Sequence, residues 1–154
     1  MGCRADHPPK LWTVAAEPST MRWRVFRSAE AKVAGFTSGR EPQPDAEFLR
    51  ECGTVADDKT GRTAVGVRQA VARVGSVDPA YIRATDRFPE ELGALPVWDS
   101  MDAIELIMEL EEGFGIEISD RDADWIFGYR GLIVHELVAR VHATVPARVH
   151  STVN

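Results

Sequence analysis

Val97-Trp98-Asp99-Ser100-Met101-Asp102-Ala103-Ile104-Glu105-Leu106-Ile107-Met108-Glu109-Leu110-Glu111-Glu112-Gly113-Phe114-Gly115-Ile116-Glu117-Ile118 is the stretch whose reading decides the fold. At about 100° per residue, Ala103, Leu106, Ile107, Leu110 and Phe114 fall within a stripe roughly 100° wide, the width of a core-facing helix side. Met101, Ile104 and Met108 form a second apolar stripe centred about 130° away. Glu105 and Glu112 flank this second stripe on one side and Glu111 on the other. The spacing predicts one helix starting at Ser100 with two apolar sides. The second side has two readings. It is either a reversible protein interface, where adaptable Met side chains make contact and carboxylates steer encounter, or a face buried on a neighbour with the acids merely solvated. Charge favours docking: from residue 99 to 124 ten carboxylates stand against one arginine, a net −9.

Working outward, Thr63, Ala64, Val67, Val71 and Val74 line one face of an earlier helix that ends near Gly75. Residues 76–93 mix turn formers with spaced apolar residues, which predicts a long loop pinned to the core through Ile82, Phe88 and Leu92. After the acidic helix, Ser119 or Asp120 can cap a short third helix. Phe127-Gly128-Tyr129-Arg130-Gly131 reads as a flexible insertion. Ile133, Leu137 and Val141, broadened by Val134 and Val138, make the apolar face of a last helix that Pro146 ends. On that helix His135 and His142 read as surface residues. A helical bundle over residues 61–145 follows, with a loose tail at 146–154.

Upstream, Asp45–Cys52 suits a short helix, capped by Asp45 and ended by Gly53, with Phe48 and Leu49 able to dock onto the bundle. Ala56–Gly61 reads as a linker, so residues 45–60 are a short helix and linker before the bundle. Residues 1–44 carry five prolines and no sustained helical or strand period, which predicts a disordered extension. This segment is basic, with seven Lys and Arg against four acids. It reads as a disordered leader, as over-read coding sequence before Met21, or as a tether folding back on the acidic helix.

The 154 residues have a net charge of −6, which argues against nucleic acid or anionic lipid as the main partner and for basic protein surfaces. Cys3 and Cys52 are too few for a disulfide framework or a tetrahedral metal site, so a reducing cytoplasm is the default. No apolar run is long enough for a membrane span or signal peptide. The Asp120-x-Asp122-x-Asp124 spacing opens like a calcium loop but has Trp125 at the turn-glycine position and Gly131 in place of the bidentate Glu. No His, Cys or carboxylate constellation pairs a nucleophile with a base, so neither a metal nor a catalytic residue is assigned and the chain is not read as an enzyme. A monomer is expected.

Asp99-Ser100-Met101-Asp102, Ile104–Met108, Leu110-Glu111-Glu112, Phe114 and Glu117-Ile118 resemble the Asp-Ser-Leu core and second helix of acyl carrier proteins, without gaps. Phe88–Gly93 resembles the family's Phe-x-x-x-Leu-Gly loop, and Ile133–Val138 its last helix. The resemblance spans roughly residues 63–143. Trp98 stands where the family commonly has a small residue, Met101 replaces the usual Leu, and the join from Gly93 to Asp99 is several residues longer.

The resemblance implies an all-α fold, a small acyl-carrier-like four-helix bundle with a long loop between its first two helices, here preceded by a poorly structured N-terminal extension. It implies that Ser100, next to Asp99, receives 4'-phosphopantetheine from coenzyme A. The arm would carry acyl groups as thioesters to partner enzymes in a fatty acid, polyketide or other thioester route. Met101, Ile104, Glu105, Met108, Glu111 and Glu112 would face the phosphopantetheinyl transferase, acyltransferases and synthases. Two alternatives stand beside this: Ser100 as a plain N-cap, and an unmodified carrier-like module that only docks through its acidic helix.

Overall fold

In a computed structural model the structure describes residues 19–96, 100–127 and 131–145, with the side chains of all but 19–27, 100–102, 125 and 127. Helices α1 (Ser19–Thr37) and α2 (Asp45–Glu51) precede α3 (Lys59–Val74), α4 (Ser100–Phe114), α5 (Asp120–Phe127) and α6 (Val134–Thr144). The last four are the helices of a small all-α bundle. Two short strands, β1 (Arg87–Phe88) and β2 (Leu132–Ile133), pair antiparallel between the α3–α4 loop and the chain entering α6.

α3 is the central element and packs on both α4 and α6. Its Ala64, Val67 and Val71 are fully buried, as the apolar spacing requires. From α4 the core receives Leu106 and Leu110, and from α6 Val134, Leu137, Val138 and Val141. α3 begins at Lys59 rather than near Thr63, so the segment read as a linker to Gly61 contains its first turn. Asp58 causes this: its carboxylate accepts the Gly61 N–H at 2.5 Å and so satisfies an otherwise unpaired amide of the first turn. Ile82, Phe88 and Leu92 pin the long α3–α4 loop as expected, joined by Ala84 and Leu95.

The segment before α3 departs from the sequence expectation. Residues 19–37 form a helix where no helical period was read, and Phe36 near its end is buried. In retrospect Phe26, Ala29, Val33 and Phe36 repeat at i, i+3, i+7 and i+10; the stripe is short, has Arg22 in line with it and is interrupted by small residues. α2 occupies the expected place, and its Phe48 and Leu49 enter the same core as the bundle; Asp45, however, is its first residue rather than its cap, because its carboxylate pairs with Arg68.

Arg68 binds these parts together. It is 1% exposed although it carries a charge, four residues on from Ala64 at the edge of the buried stripe. Its Nε donates to the Ile82 carbonyl at 3.0 Å, Nη2 to the carbonyls of Gln43 (2.9 Å) and Ala80 (3.2 Å), and Nη1 to Asp45 at 2.6 Å. The guanidinium also lies 4.5 Å from the Phe48 ring centroid. The planar fork thereby ties α3, the start of α2 and the α3–α4 loop at one point. A second tie runs from Arg40, after α1, whose Nη1 donates to both Asp86 oxygens at 2.9 and 3.0 Å.

Candidate functional site

Ser100 is the first residue of α4, a 15-residue helix. A helix of this length presents unpaired N–H groups and the positive end of its dipole at that residue, an environment that favours a phosphodiester. Asp99, Trp98 and Val97 lie outside the described residues, and of Met101 only the backbone, in the first turn of α4, is described.

Below that turn the helix divides as its wheel predicts. Leu106 and Leu110 are fully buried, while Ile104 is 56% and Met108 62% exposed. Among the described residues, therefore, no neighbouring element covers Ile104 and Met108 of the second stripe. Glu105 and Glu112 are exposed beside it. Glu111, expected in the same rim, is half-buried, and its Oε1 accepts the Ile118 N–H at 2.7 Å. That bond fixes the turn after α4, where Gly115 adopts φ +60°, a conformation that favours glycine. Glu109 pairs with Arg73 of α3. Phe114 closes the core side over Gly66, where an added Cβ would sit 2.6 Å from its ring.

The other titratable candidates are used structurally. Asp122 accepts the Ser119 hydroxyl at 2.8 Å and lies 3.6 Å from Arg140, and the Ser119 side chain caps α5 as expected. Among the described residues no group of three or more His, Cys, Asp or Glu side chains is placed to hold a metal. His142 is half-buried rather than on the surface, with Nε2 3.3 Å from the Thr60 hydroxyl and Nδ1 3.4 Å from that of Thr63. His135 is exposed, and its Nδ1 lies 3.1 Å from the Ala84 carbonyl. Burial, and secondarily Glu51, push the Cys52 thiol up to about 11, against the pull of Arg68. At neutral pH it is a protonated, poorly nucleophilic thiol. No described helix is long and apolar enough to cross a membrane.

A family match runs from within α3 to α5. Residues 66–125 match the family described as "Phosphopantetheine attachment site". The acyl carrier protein of Campylobacter hominis is 38% identical over 69 residues, which cover 45% of this chain and 82% of that protein. The family match leaves α1 and α2 outside. By its helical architecture and these matches, the chain belongs to the acyl carrier protein family, as a carrier whose cofactor is 4'-phosphopantetheine.

Proposed function

We propose that Ser100 is the attachment point of 4'-phosphopantetheine and that the exposed side of α4 delivers the loaded carrier to its partner enzymes. The observation that carries this reading is the position of Ser100 at the head of α4, with Ile104 and Met108 exposed on the turns below it and carboxylates beside them. When bound, the cofactor supplies a flexible arm ending in a thiol that holds acyl groups as thioesters. The chain's own contribution is to orient and to be recognised. The first-turn amides favour the phosphodiester, Asp99 adjoins the attachment point, and Met101, Ile104 and Met108 offer adaptable apolar contact. Glu105 and Glu112 steer encounter with basic surfaces of a phosphopantetheinyl transferase, acyltransferases and synthases, while Glu111 contributes its remaining oxygen from a fixed position. The carrier works in the cytoplasm, and the chemistry belongs to the partners.

The test is intact mass after incubation with coenzyme A and a broad-specificity phosphopantetheinyl transferase. One phosphopantetheine is gained by the natural chain and none by Ser100→Ala. An unchanged mass alongside a modified control carrier leaves the unmodified docking module as the function. In the loaded protein, Met108→Glu should slow turnover by a partner synthase while leaving the fold intact.

A further inference from the structure

The carrier match begins at residue 66, yet the segment before α3 is tied into the loop that leads to Ser100. The tie is made by charge. Asp86 lies in that loop with its side chain only 4% exposed, and Arg40 reaches it from just beyond α1. Arg40 also donates to the Tyr81 carbonyl at 3.3 Å and stacks 4.0 Å from the centroid of Phe36, itself buried. Asp86 in turn accepts the Arg83 N–H at 2.9 Å, and its carbonyl accepts the Val134 N–H at 3.0 Å at the start of α6. α1 packs directly on the turn Leu92–Ala94 of the same loop.

We propose that Arg40 is a positioning residue of this carrier: through Asp86 it clamps the α3–α4 loop and so sets the approach to Ser100. The inference rests on the attachment reading above. Without Arg40 a nearly buried carboxylate keeps no cationic partner among the described residues, and water must enter the loop to solvate it. The disturbance has a short way to travel. Leu95, 1% exposed, is the last fully buried residue of the loop among those described, and five residue steps on to Ser100 span at most about 18 Å. On the far side, Leu106 is the first described side chain of α4 to be fully buried. The head of α4 therefore depends on the loop for its placement. One guanidinium nitrogen, Nη1, serves both Asp86 oxygens and the Tyr81 carbonyl while the group stacks on Phe36, and Lys reproduces the charge but not the stack.

The experiment compares the full-length natural chain with Arg40→Ala and Arg40→Lys, well below the melting temperature of each. Loading by a broad-specificity transferase is measured as kcat/KM for the carrier, and amide hydrogen exchange is followed by peptide. The expected result for Arg40→Ala is a drop in loading of about tenfold, with faster exchange in residues 80–95 and unchanged protection in α3 and α6; Arg40→Lys falls between. Unchanged loading despite a loosened loop overturns the proposal, as does unchanged exchange in residues 80–95. A natural chain that gains no mass sinks the attachment reading instead, and the exchange data still judge the clamp.

Discussion

α3 and α4 pack against each other and depart from the apolar-inside rule in opposite directions. α3 buries a cation, Arg68, at 1% exposure, whereas α4 leaves Ile104 and Met108 more than half exposed. The buried cation has a hydrogen-bond acceptor for each of its nitrogens and an aromatic ring beside it, so its desolvation is compensated. The exposed apolar pair has no covering neighbour among the described residues. A departure that is fully satisfied internally is architecture; one left open towards solvent is what the proposed docking face requires.

The comparison breaks most visibly at Arg68. Arg68→Met keeps much of the volume but leaves the carbonyls of Ile82 and Gln43 without this donor in a buried place, at a cost of about 3–5 kcal/mol. Urea denaturation should show the loss, and a change below about 1 kcal/mol would make the tie incidental. Next in size is the contrast within α4. Leu106→Ala empties a fully buried site and should cost about 2–5 kcal/mol. Ile104→Ala should stay within about 0.5 kcal/mol and instead weaken partner turnover. Equal costs at the two positions would mean that the exposed stripe is covered by something within the molecule.

Much of this was legible in the sequence, because periodicity reports burial directly. The wheel separated Leu106 and Leu110 from Ile104 and Met108, and the spaced apolar residues of the loop marked its pins at Ile82, Phe88 and Leu92. The cofactor, and the proposal that Ser100 carries it, came from family resemblance, since a lone Ser before a helix reads equally well as a cap. What stayed hidden had partners distant in sequence. Arg68 binds backbone carbonyls, which every residue has, so no side-chain pattern announces them. Arg40 and Asp86 are 46 residues apart. Glu111 looked like one more acid in a rim until its bond to the Ile118 amide appeared. α1 was missed because its apolar stripe is short and carries Arg22 in register.

A finer test separates two acids that look alike in sequence. Glu111→Gln alters the acceptor for the Ile118 amide and should lower stability by about 1 kcal/mol. Glu112, exposed, should be neutral for stability when changed to Gln, but should lower the association rate with a basic partner enzyme at low salt. Stopped-flow association at two ionic strengths, beside melting curves, distinguishes them. If Glu111→Gln slows association more than Glu112→Gln does, the acid fixed to its own turn is the one partners read.

The smallest effect concerns how the two helices begin. α4 starts with Ser100, whose hydroxyl the proposal commits to a phosphodiester, whereas α3 starts after Asp58, whose carboxylate is spent on its own helix. It accepts the Gly61 N–H and the Thr54 hydroxyl, the latter at 2.8 and 2.9 Å. These bonds, the Gly61 amide first, hold its pKa below the usual 3.8. Folding therefore favours the ionised form. The stabilisation is complete above 3.8 and fades as pH falls through the lower folded value. Asp58→Asn should melt lower than the natural chain at neutral pH, and the gap should close in acid as the natural carboxyl takes up its proton. A gap that stays constant from neutral pH down through that window would mean that cap geometry alone, and not charge, starts α3.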